Sequence, residues 1–145
     1  MNCVFCAIVD GQLPGHLVHE DEHFLVLLDI FPLRPAHLLI VAKGHAPLLA
    51  DLPSVARETL LALADRVGQA LYRSDPSVRG INFLINDGAV ANQHVPHLHL
   101  HLIPRRVGDL PALCWRSLTR FLPLGRKRIE ARLQREAQLL RSALQ

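Results

Sequence analysis

The sequence has few of the features that mark extracellular, fibrous or membrane proteins. Three cysteines among 145 residues cannot close a disulfide framework, so thiol or metal chemistry in a reducing compartment is the better expectation. Ten prolines and eight glycines are too scattered for a low-complexity or fibrous chain. No apolar run is long enough to span a bilayer, and the first residues carry no basic segment ahead of an apolar stretch. We therefore expect one soluble, cytoplasmic domain without a membrane partner.

Aromatic residues are also scarce, at 5% of the chain, and charge is unevenly distributed. Residues 1–104 hold six basic against ten acidic side chains, a net charge of −4, whereas residues 105–145 hold ten against three, a net charge of +7. A basic C-terminal part is compatible with a polyanion partner, but a solvated helix face explains it equally well. Because few aromatic rings are available to stack on bases, a nucleic-acid partner is disfavoured.

Apolar periodicity predicts a chain that mixes helices and strands. Three short apolar runs indicate strands, at residues 24–29, 37–41 and 81–85. The first two are expected to be antiparallel neighbours, since the prolines between them exclude a helix. Apolar residues at helical spacing predict a helix over 53–73, capped by Asp51 or Ser54. The last twenty residues carry an amphipathic helical stripe, and residues 105–125 show no clear period.

The segment from Pro96 to Ile103 carries the most informative pattern and is predicted to be a strand. Histidine and leucine alternate strictly there, and successive side chains of a strand point to opposite faces. The leucines then pack on an apolar partner, for which the 53–73 helix is a candidate, while His97, His99 and His101 share the other face. Three aligned imidazoles suit either a catalytic metal site or attack of a neutral imidazole on phosphorus. The spacing alone does not separate these two chemistries.

Metal-binding residue types also occur near the start of the chain. Cys3 and Cys6 have the C-x2-C spacing of a zinc knuckle, His45 is a candidate third ligand, and one strand histidine would complete a closed, structural site. A redox pair would need a preceding strand in a parallel α/β unit, and the two residues before Cys3 are too few to form one. Cys114, alone beside Trp115, is expected to be a buried structural cysteine.

The alternating segment His97-Leu98-His99-Leu100-His101-Leu102 resembles the signature of the histidine triad family. Further matches have the order and spacing of the family's zinc-containing branch, which includes bacterial members and diadenosine polyphosphate hydrolases. They are Cys3 to Cys6, Glu20 to Glu22, Phe24 to Pro32, Pro35 to Leu39, Lys43 to His45, Gln93 and Pro104-Arg105. The similarity covers roughly residues 3–105 in several separate blocks.

The resemblance, together with the periodicity, predicts the fold and its organisation. We expect an α+β domain whose mainly antiparallel sheet has about five strands, with one long helix packed on it and a C-terminal helix. Residues 1–105 would form the core of the family domain. Residues 106–145 would be a basic extension that ends in an amphipathic helix and packs on the same domain. The family also implies a homodimer.

The family's functional residues transfer onto matching positions of this sequence. His99 would be the nucleophile that forms a nucleotidyl-histidine and releases a nucleoside monophosphate. The substrate would be a purine nucleotide, either a dinucleoside polyphosphate or a nucleoside phosphoramidate. Asp29 would hold ribose hydroxyls. The other implied contacts are Leu27 and Ile30 with the base, and Asn86, Gln93, His94 and His101 with phosphate or leaving group. Structural Zn²⁺ would be held by Cys3, Cys6, His45 and His97.

Three residues depart from the family pattern. His94 stands where relatives often carry a hydroxyl residue that touches phosphate. Ala42 replaces a proline, and Asn92 occupies a position usually held by glycine, where a different loop path is expected.

Other function classes remain as alternatives. A nucleotide-binding regulator with little turnover would keep the fold and bind nucleotides without forming product. A zinc-stabilised nucleic-acid-binding module would use the basic residues from Arg105 to Arg141 and bind with steep salt dependence. A catalytic-zinc hydrolase would regain activity with added metal and form no histidine adduct.

Overall fold

The computed structural model describes residues 3–145 and contains a five-stranded sheet in the order β1-β2-β3-β5-β4. The strands are β1 Leu17–Glu20, β2 Phe24–Leu28, β3 Leu38–Ala42, β4 Gly80–Ile85 and β5 His99–Arg105. Each neighbouring pair is antiparallel. The helices are α1 Val4–Val9, α2 Ser54–Ser74, α3 Leu110–Thr119 and α4 Arg126–Leu144. The predicted α+β class, with about five antiparallel strands, is confirmed.

The two early apolar runs form β2 and β3, which pair with each other as predicted. Every residue of both strands is buried, which explains why their sequences are apolar without alternation. Two short elements were not predicted. β1 has four residues and includes two polar ones, and α1 has six residues, so neither is long enough to display a period.

The predicted start of the histidine strand at Pro96 is wrong, because β5 begins at His99. Pro96 has no backbone N–H to contribute to a ladder. The backbone N–H of Leu98 donates instead to the carbonyl oxygen of Ala46 at 2.7 Å, outside the β5 ladder. His97 is therefore the end of the loop that leads into β5, and this places it beside residues 42–46.

The two faces of the sheet are covered differently. On one face Leu98, Leu100 and Leu102 join the main core, together with residues of α2 and α4. The expectation that these leucines pack on the long helix is confirmed, and each fully buried leucine contributes about 1.5–3 kcal/mol. The opposite face carries a smaller apolar cluster that includes Phe5 of α1. In the antiparallel register His101 faces Leu39, so the histidines lie on this second face.

The long helix α2 runs from Ser54 to Ser74, close to the predicted 53–73. The apolar residues at helical spacing that predict it, Leu60, Leu63, Val67 and Leu71, are all buried. The predicted caps are wrong. Pro53 occupies the N-cap position without a side-chain hydrogen bond, and Asp51 accepts instead from the backbone N–H of Leu48 at 3.0 Å.

The C-terminal part contains α3, which was not predicted, and α4, which was. Leu133 and Leu140 of α4 are buried in the main core, with Ala137 between them. Cys114 on α3 is exposed, so its predicted burial is wrong; α3 buries only Thr119, and its remaining face is left to solvent. Within residues 3–145 no helix combines the length and apolar character needed to cross a bilayer.

Candidate functional site

The site is built at the start of β5, which lies between β3 and β4: His97 ends the loop before the strand, and His99 and His101 lie on it. His97, His99 and His101 are buried, with 0%, 7% and 7% of their surfaces exposed. The rings of His99 and His101 lie 4.9 Å apart, and Phe5 of α1 packs on His99 with a ring distance of 5.0 Å. The histidine row is thus covered from above by α1, and its imidazoles contact one another.

At one end of the row, the four predicted metal ligands converge. The Sγ atom of Cys3 is 3.3 Å from Nδ1 of His97, and the Sγ atom of Cys6 is 3.3 Å from Nδ1 of His45. The four donor atoms all lie within 4.8 Å of one another. Zinc bonds of about 2.3 Å to sulfur and 2.0 Å to nitrogen give tetrahedral edges of roughly 3.5 Å. The donor set and its spacing therefore fit a tetrahedral zinc ion.

The orientation of His97 also suits metal binding. Its Nε2–H donates to the carbonyl oxygen of Ala42 at 2.6 Å, so the lone pair lies on Nδ1, which faces the thiols. This is the outer hydrogen bond that commonly fixes a ligating histidine. Without a cation, burial and the neighbouring Cys3 thiol raise the pKa of Cys6. A bound divalent cation reverses that preference, because it stabilises thiolates.

The second histidine, His99, is held in the tautomer of a nucleophile. Its Nδ1–H donates to the carbonyl oxygen of His97 at 2.7 Å, because a carbonyl can only accept. The free lone pair is therefore on Nε2. Burial lowers the pKa of His99, with an opposing effect from the backbone hydrogen bond. At neutral pH the imidazole is uncharged and able to attack an electrophile.

The third histidine, His101, is held in the opposite tautomer by His37, the residue that directly precedes β3. The backbone N–H of Leu33 donates to Nδ1 of His37 at 3.1 Å, so the proton of His37 is on Nε2. That nitrogen donates to Nδ1 of His101 at 2.9 Å. His101 consequently carries its proton on Nε2 and offers a hydrogen-bond donor. Burial lowers the pKa of His37 to about 4 and that of His101 to about 3, which keeps both neutral.

Asp29 closes the other end of the row. Its Oδ2 lies 3.6 Å from Nδ1 of His37, and its Oδ1 accepts from the backbone N–H of Phe31 at 2.8 Å. The guanidinium of Arg120, from the C-terminal part of the chain, donates to Oδ2 at 3.1 Å. Asp29 is only 5% exposed. The carboxylate is thus fully engaged and almost covered.

The residues expected to contact the base lie beside this end. Leu27 is buried on the histidine face of the sheet, since it faces Leu39, which in turn faces His101. Ile30 follows in the loop and is 44% exposed. The two residues thus flank Asp29, one beneath the surface and one on it.

The loop that precedes the histidines holds the residues expected at the phosphate. The side-chain amide of Gln93 bridges two segments: its Oε1 accepts from the backbone N–H of Gly88 and its Nε2 donates to the carbonyl oxygen of Pro47. Asn86 donates to the carbonyl oxygen of Asn92 at 3.4 Å. Asn92 has a φ of +67°, the left-handed conformation that glycine takes most easily and that asparagine tolerates, so this substitution does not require the different loop path that was expected.

His94 lies on the loop before β5. It is exposed, and its ring lies 5.5 Å from that of Phe121 in the C-terminal part. Any contact of His94 with a phosphate would therefore be made at the outer edge of the site.

Two residues of the site were not assigned a role from the sequence. His37 is buried and hydrogen-bonded, and it sets the tautomer of His101. The sequence could have indicated this, because His37 is two residues before Leu39 and alternate residues of a strand point to the same face, here the face of the histidines. Arg120 gave no signal, because it lies in a segment without a clear period.

Comparison with known proteins matches these features to one family. Residues 10–108 match the HIT domain model, where HIT denotes the histidine triad. The chain is 39% identical over 109 residues to an uncharacterized HIT-like protein of Mycobacterium tuberculosis, covering 75% of each chain. It is 35% identical over 108 residues to adenylylsulfatase HINT3 of Arabidopsis thaliana, covering 74% of this chain and 54% of the relative.

A solved structure extends the likeness beyond the matched domain. The zinc-bound histidine triad family protein of Mycobacterium smegmatis superposes with a TM-score of 0.81 at 39% identity. The superposition covers 99% of this chain and 94% of that one, so the arrangement of α3 and α4 lies within the shared architecture.

Proposed function

The chain belongs to the histidine triad (HIT) domain family, and from that premise we propose that it is a nucleotide hydrolase or transferase acting at the α-phosphorus through His99. The observation that carries this proposal is the pair of opposite tautomers on adjacent imidazoles. His99 has a free lone pair on Nε2, and His101, 4.9 Å away, has a proton on the same ring position. One ring is suited to attack, and its neighbour is suited to donate.

The reaction would have two displacements. In the first, Nε2 of His99 attacks the α-phosphorus, a P–N bond forms, and the bond to the leaving group breaks. In the second, water attacks the nucleotidyl-histidine, the P–N bond breaks, and a nucleoside monophosphate leaves. The Nε2–H of His101 would donate to the phosphoryl or leaving-group oxygen, where negative charge develops. Splitting one difficult displacement into two is the advantage of a covalent intermediate.

The remaining residues would position the nucleotide. Asp29 would accept hydrogen bonds from the ribose hydroxyls, with Leu27 and Ile30 beside a purine base. Asn86 and His94 would contact phosphate or the leaving group. Gln93 would serve mainly by bracing the loop, since both polar atoms of its amide already contact backbone groups. The substrate would be a dinucleoside polyphosphate or a nucleoside phosphoramidate.

Zinc would have a structural role in this scheme. Cys3, Cys6, His45 and His97 would hold it, and the set leaves no coordination position for substrate. Bound there, the ion supplies a fixed link between α1, the loop at residue 45 and the start of β5. That link would set the position of His97, whose carbonyl oxygen in turn orients His99. A reducing, cytoplasmic setting would keep both thiols available.

A homodimer would be formed most simply through β4. This strand is at the edge of the sheet, and it exposes Phe83 and Leu84, which are 49% and 43% accessible. An open edge with apolar side chains is a template for pairing with another strand. A second copy of the chain would satisfy both its backbone groups and its apolar surface.

Product analysis with a His99→Ala variant tests the proposed chemistry. Wild-type protein should release a nucleoside monophosphate from at least one of a dinucleoside tetraphosphate, a dinucleoside triphosphate and a nucleoside phosphoramidate. The variant should bind the same nucleotide and melt like wild type but release no product. His23→Ala, a histidine outside the site, is the matched control and should retain full activity. Turnover by the His99→Ala variant would disprove the mechanism, and binding without product by wild type would favour a regulator.

A further inference from the structure

The segment from Asp109 to Leu124, which comprises α3 and the turn after it, is attached to the domain mainly by polar and aromatic contacts. Gly108 precedes this segment and Gly125 follows it, with φ values of +76° and +69°. Both lie in the left-handed region, where the chain changes direction and glycine is favoured. Only Thr119 of α3 is buried. We call residues 109–124 the cover; it contributes little to the apolar core and is bounded by two glycine turns.

Polar contacts hold the cover at both ends. At its start, the carboxylate of Asp109 accepts from the guanidinium of Arg105 at 2.6 Å and lies 3.3 Å from Nε of Arg34. Near its end, Nε of Arg116 donates to the carbonyl oxygen of Pro32 at 3.2 Å. Arg120 donates to Asp29 at 3.1 Å. The end of the cover is therefore held on the loop that follows β2.

The ring of Phe121 extends this attachment across the site. It lies 5.3 Å from the ring of Phe31, on the loop after β2, and 5.5 Å from that of His94, on the loop before β5. The guanidinium of Arg120 sits over the same ring at 4.9 Å. The cover thus spans the gap between the loop assigned to ribose and base and the loop assigned to phosphate.

This arrangement leaves Asp29 unable to accept a ribose as it stands. The carboxylate is 5% exposed, with Arg120 on Oδ2 and the Phe31 amide on Oδ1. We propose that the cover, from here on called the strap, moves over the nucleotide site and is latched by the ion pair of Arg120 with Asp29. A nucleotide must displace Arg120 to reach Asp29. The assignment of Asp29 to ribose rests on the proposed function; the latch itself rests only on contacts within the chain.

The closed strap also leaves polar groups without partners. Among residues 3–145, the buried Nε of Arg120 and Nη2 of Arg116 find no hydrogen-bond acceptor. Burying a donor without a partner opposes the closed state. Two further guanidinium groups contact the same loop: Arg116 donates to the carbonyl oxygen of Pro32 and Arg126 to that of Ile30. Over Asp29 itself the strap is held by one ion pair, that of Arg120, and unpaired donors lie beside it, so this end of the strap is poised to open.

Opening would exchange one set of partners for another. The two hydroxyls of a ribose would replace Arg120 on the carboxylate of Asp29, so the carboxylate stays hydrogen-bonded in both states. The guanidinium would leave a buried position for solvent, where it is well hydrated. Nucleotide binding and strap closure would therefore compete for one carboxylate, and weakening the latch should favour the nucleotide.

Hydrogen exchange tests the latch without any ligand. Backbone amides of residues 116–124 should exchange faster in Arg120→Gln than in wild type, and Asp29→Asn should give the same pattern. In the double variant, the two changes should not add, because they remove the same interaction. Arg128→Gln is the matched control, since Arg128 is exposed on α4 and lies outside the strap. Unchanged exchange in both single variants would overturn the proposal.

Calorimetric binding of AMP and of adenosine tests the competition. Arg120→Gln should bind both roughly tenfold more tightly than wild type, as expected for loss of one partly buried ion pair, and Arg120→Lys should lie between. Inorganic pyrophosphate, which has no ribose, should bind wild type and Arg120→Gln equally. Weaker or unchanged AMP binding by Arg120→Gln would overturn the proposed competition. Faster exchange in Arg120→Gln, with no nucleotide bound by any variant, would retain the latch and refute the proposed function.

Discussion

The two ends of the histidine row solve the same problem of burying polar side chains in different ways. At the end formed by Cys3, Cys6, His45 and His97, the four donor atoms converge to within 4.8 Å of one another. At the end formed by Asp29, His37 and His101, hydrogen bonds and Arg120 use the polar atoms one by one. The first end has the geometry of a metal site, whereas at the second both carboxylate oxygens of Asp29 and Nδ1 of His101 already have partners within the chain.

This difference shows what each end can contribute. With the proposed zinc ion bound, the converging end would be stabilised by the metal and would fix the start of β5. The hydrogen-bonded end is stable by itself, and its energy depends on proton occupancy and on the Arg120 latch. His99 lies between them, oriented by the carbonyl oxygen of one end and in contact with the ring of the other. The comparison predicts that metal removal and acid affect different ends of the same row.

The largest effect is expected from breaking the converging end with Cys3→Ser. Loss of a buried thiolate should abolish stoichiometric zinc binding and lower the free energy of unfolding by about 4 kcal/mol, near 10 °C in Tm. Metal content by atomic spectroscopy and Tm by calorimetry measure both. Activity per folded molecule should fall less, since no step of the chemistry uses the ion.

Cys114→Ser is the matched control for that change. Cys114 is exposed and belongs to neither end of the histidine row, so its substitution should leave zinc content and Tm unchanged. If wild-type protein stripped of metal keeps its Tm, the structural role of zinc is wrong.

Acid should destabilise the hydrogen-bonded end by a smaller amount. The unfolded chain takes up protons on histidine as the pH falls through about 6.5, whereas the folded state resists until about pH 4 at His37. The stabilisation is thus complete above pH 6.5 and is lost as the pH falls towards 4. The unfolding free energy should decrease by about 3 kcal/mol across that window from this histidine, as measured by urea denaturation at each pH.

His37→Leu separates this effect from acid loss of the metal. Both proteins share the zinc site, so its own pH dependence cancels in their difference. The variant should be less stable than wild type at pH 7.5, because Nδ1 of His101 loses its donor, but its stability should decline less steeply below pH 6.5. Parallel curves for the two proteins would show that His37 does not titrate as proposed.

The sequence predicts the two sheet faces more completely than it predicts the site. Strict alternation of leucine and histidine required a strand with one apolar face, and the core confirms it at Leu98, Leu100 and Leu102. Periodicity also located α2 and α4. It could not locate α1, β1 or α3, which are short or bury too few residues to impose a period on their sequences.

The site was harder to predict because its hydrogen bonds join distant segments. The convergence of Cys3, Cys6, His45 and His97 could be anticipated from residue types and from the family resemblance. The tautomers could not, since they depend on the backbone N–H of Leu33 and the carbonyl oxygen of His97. The contact of Arg120 with Asp29 joins residues 91 positions apart and has no signature in either local sequence. Backbone donors and long-range ion pairs become visible only once the chain is folded.

The smallest effect is expected from His45→Ala, which separates the exposed ligand from the buried ones. His45 is exposed, whereas Cys3 and His97 are buried, so water can take its place in the coordination sphere without leaving a buried group unpaired. Zinc affinity should fall roughly 100-fold, but excess zinc should restore the free energy of unfolding to within about 1 kcal/mol of wild type. Cys3→Ser should not be restored by the same zinc concentration, because its missing ligand is a buried anion. Equal rescue of both variants would mean that exposed and buried ligands contribute equally to zinc-dependent stability, which contradicts this prediction.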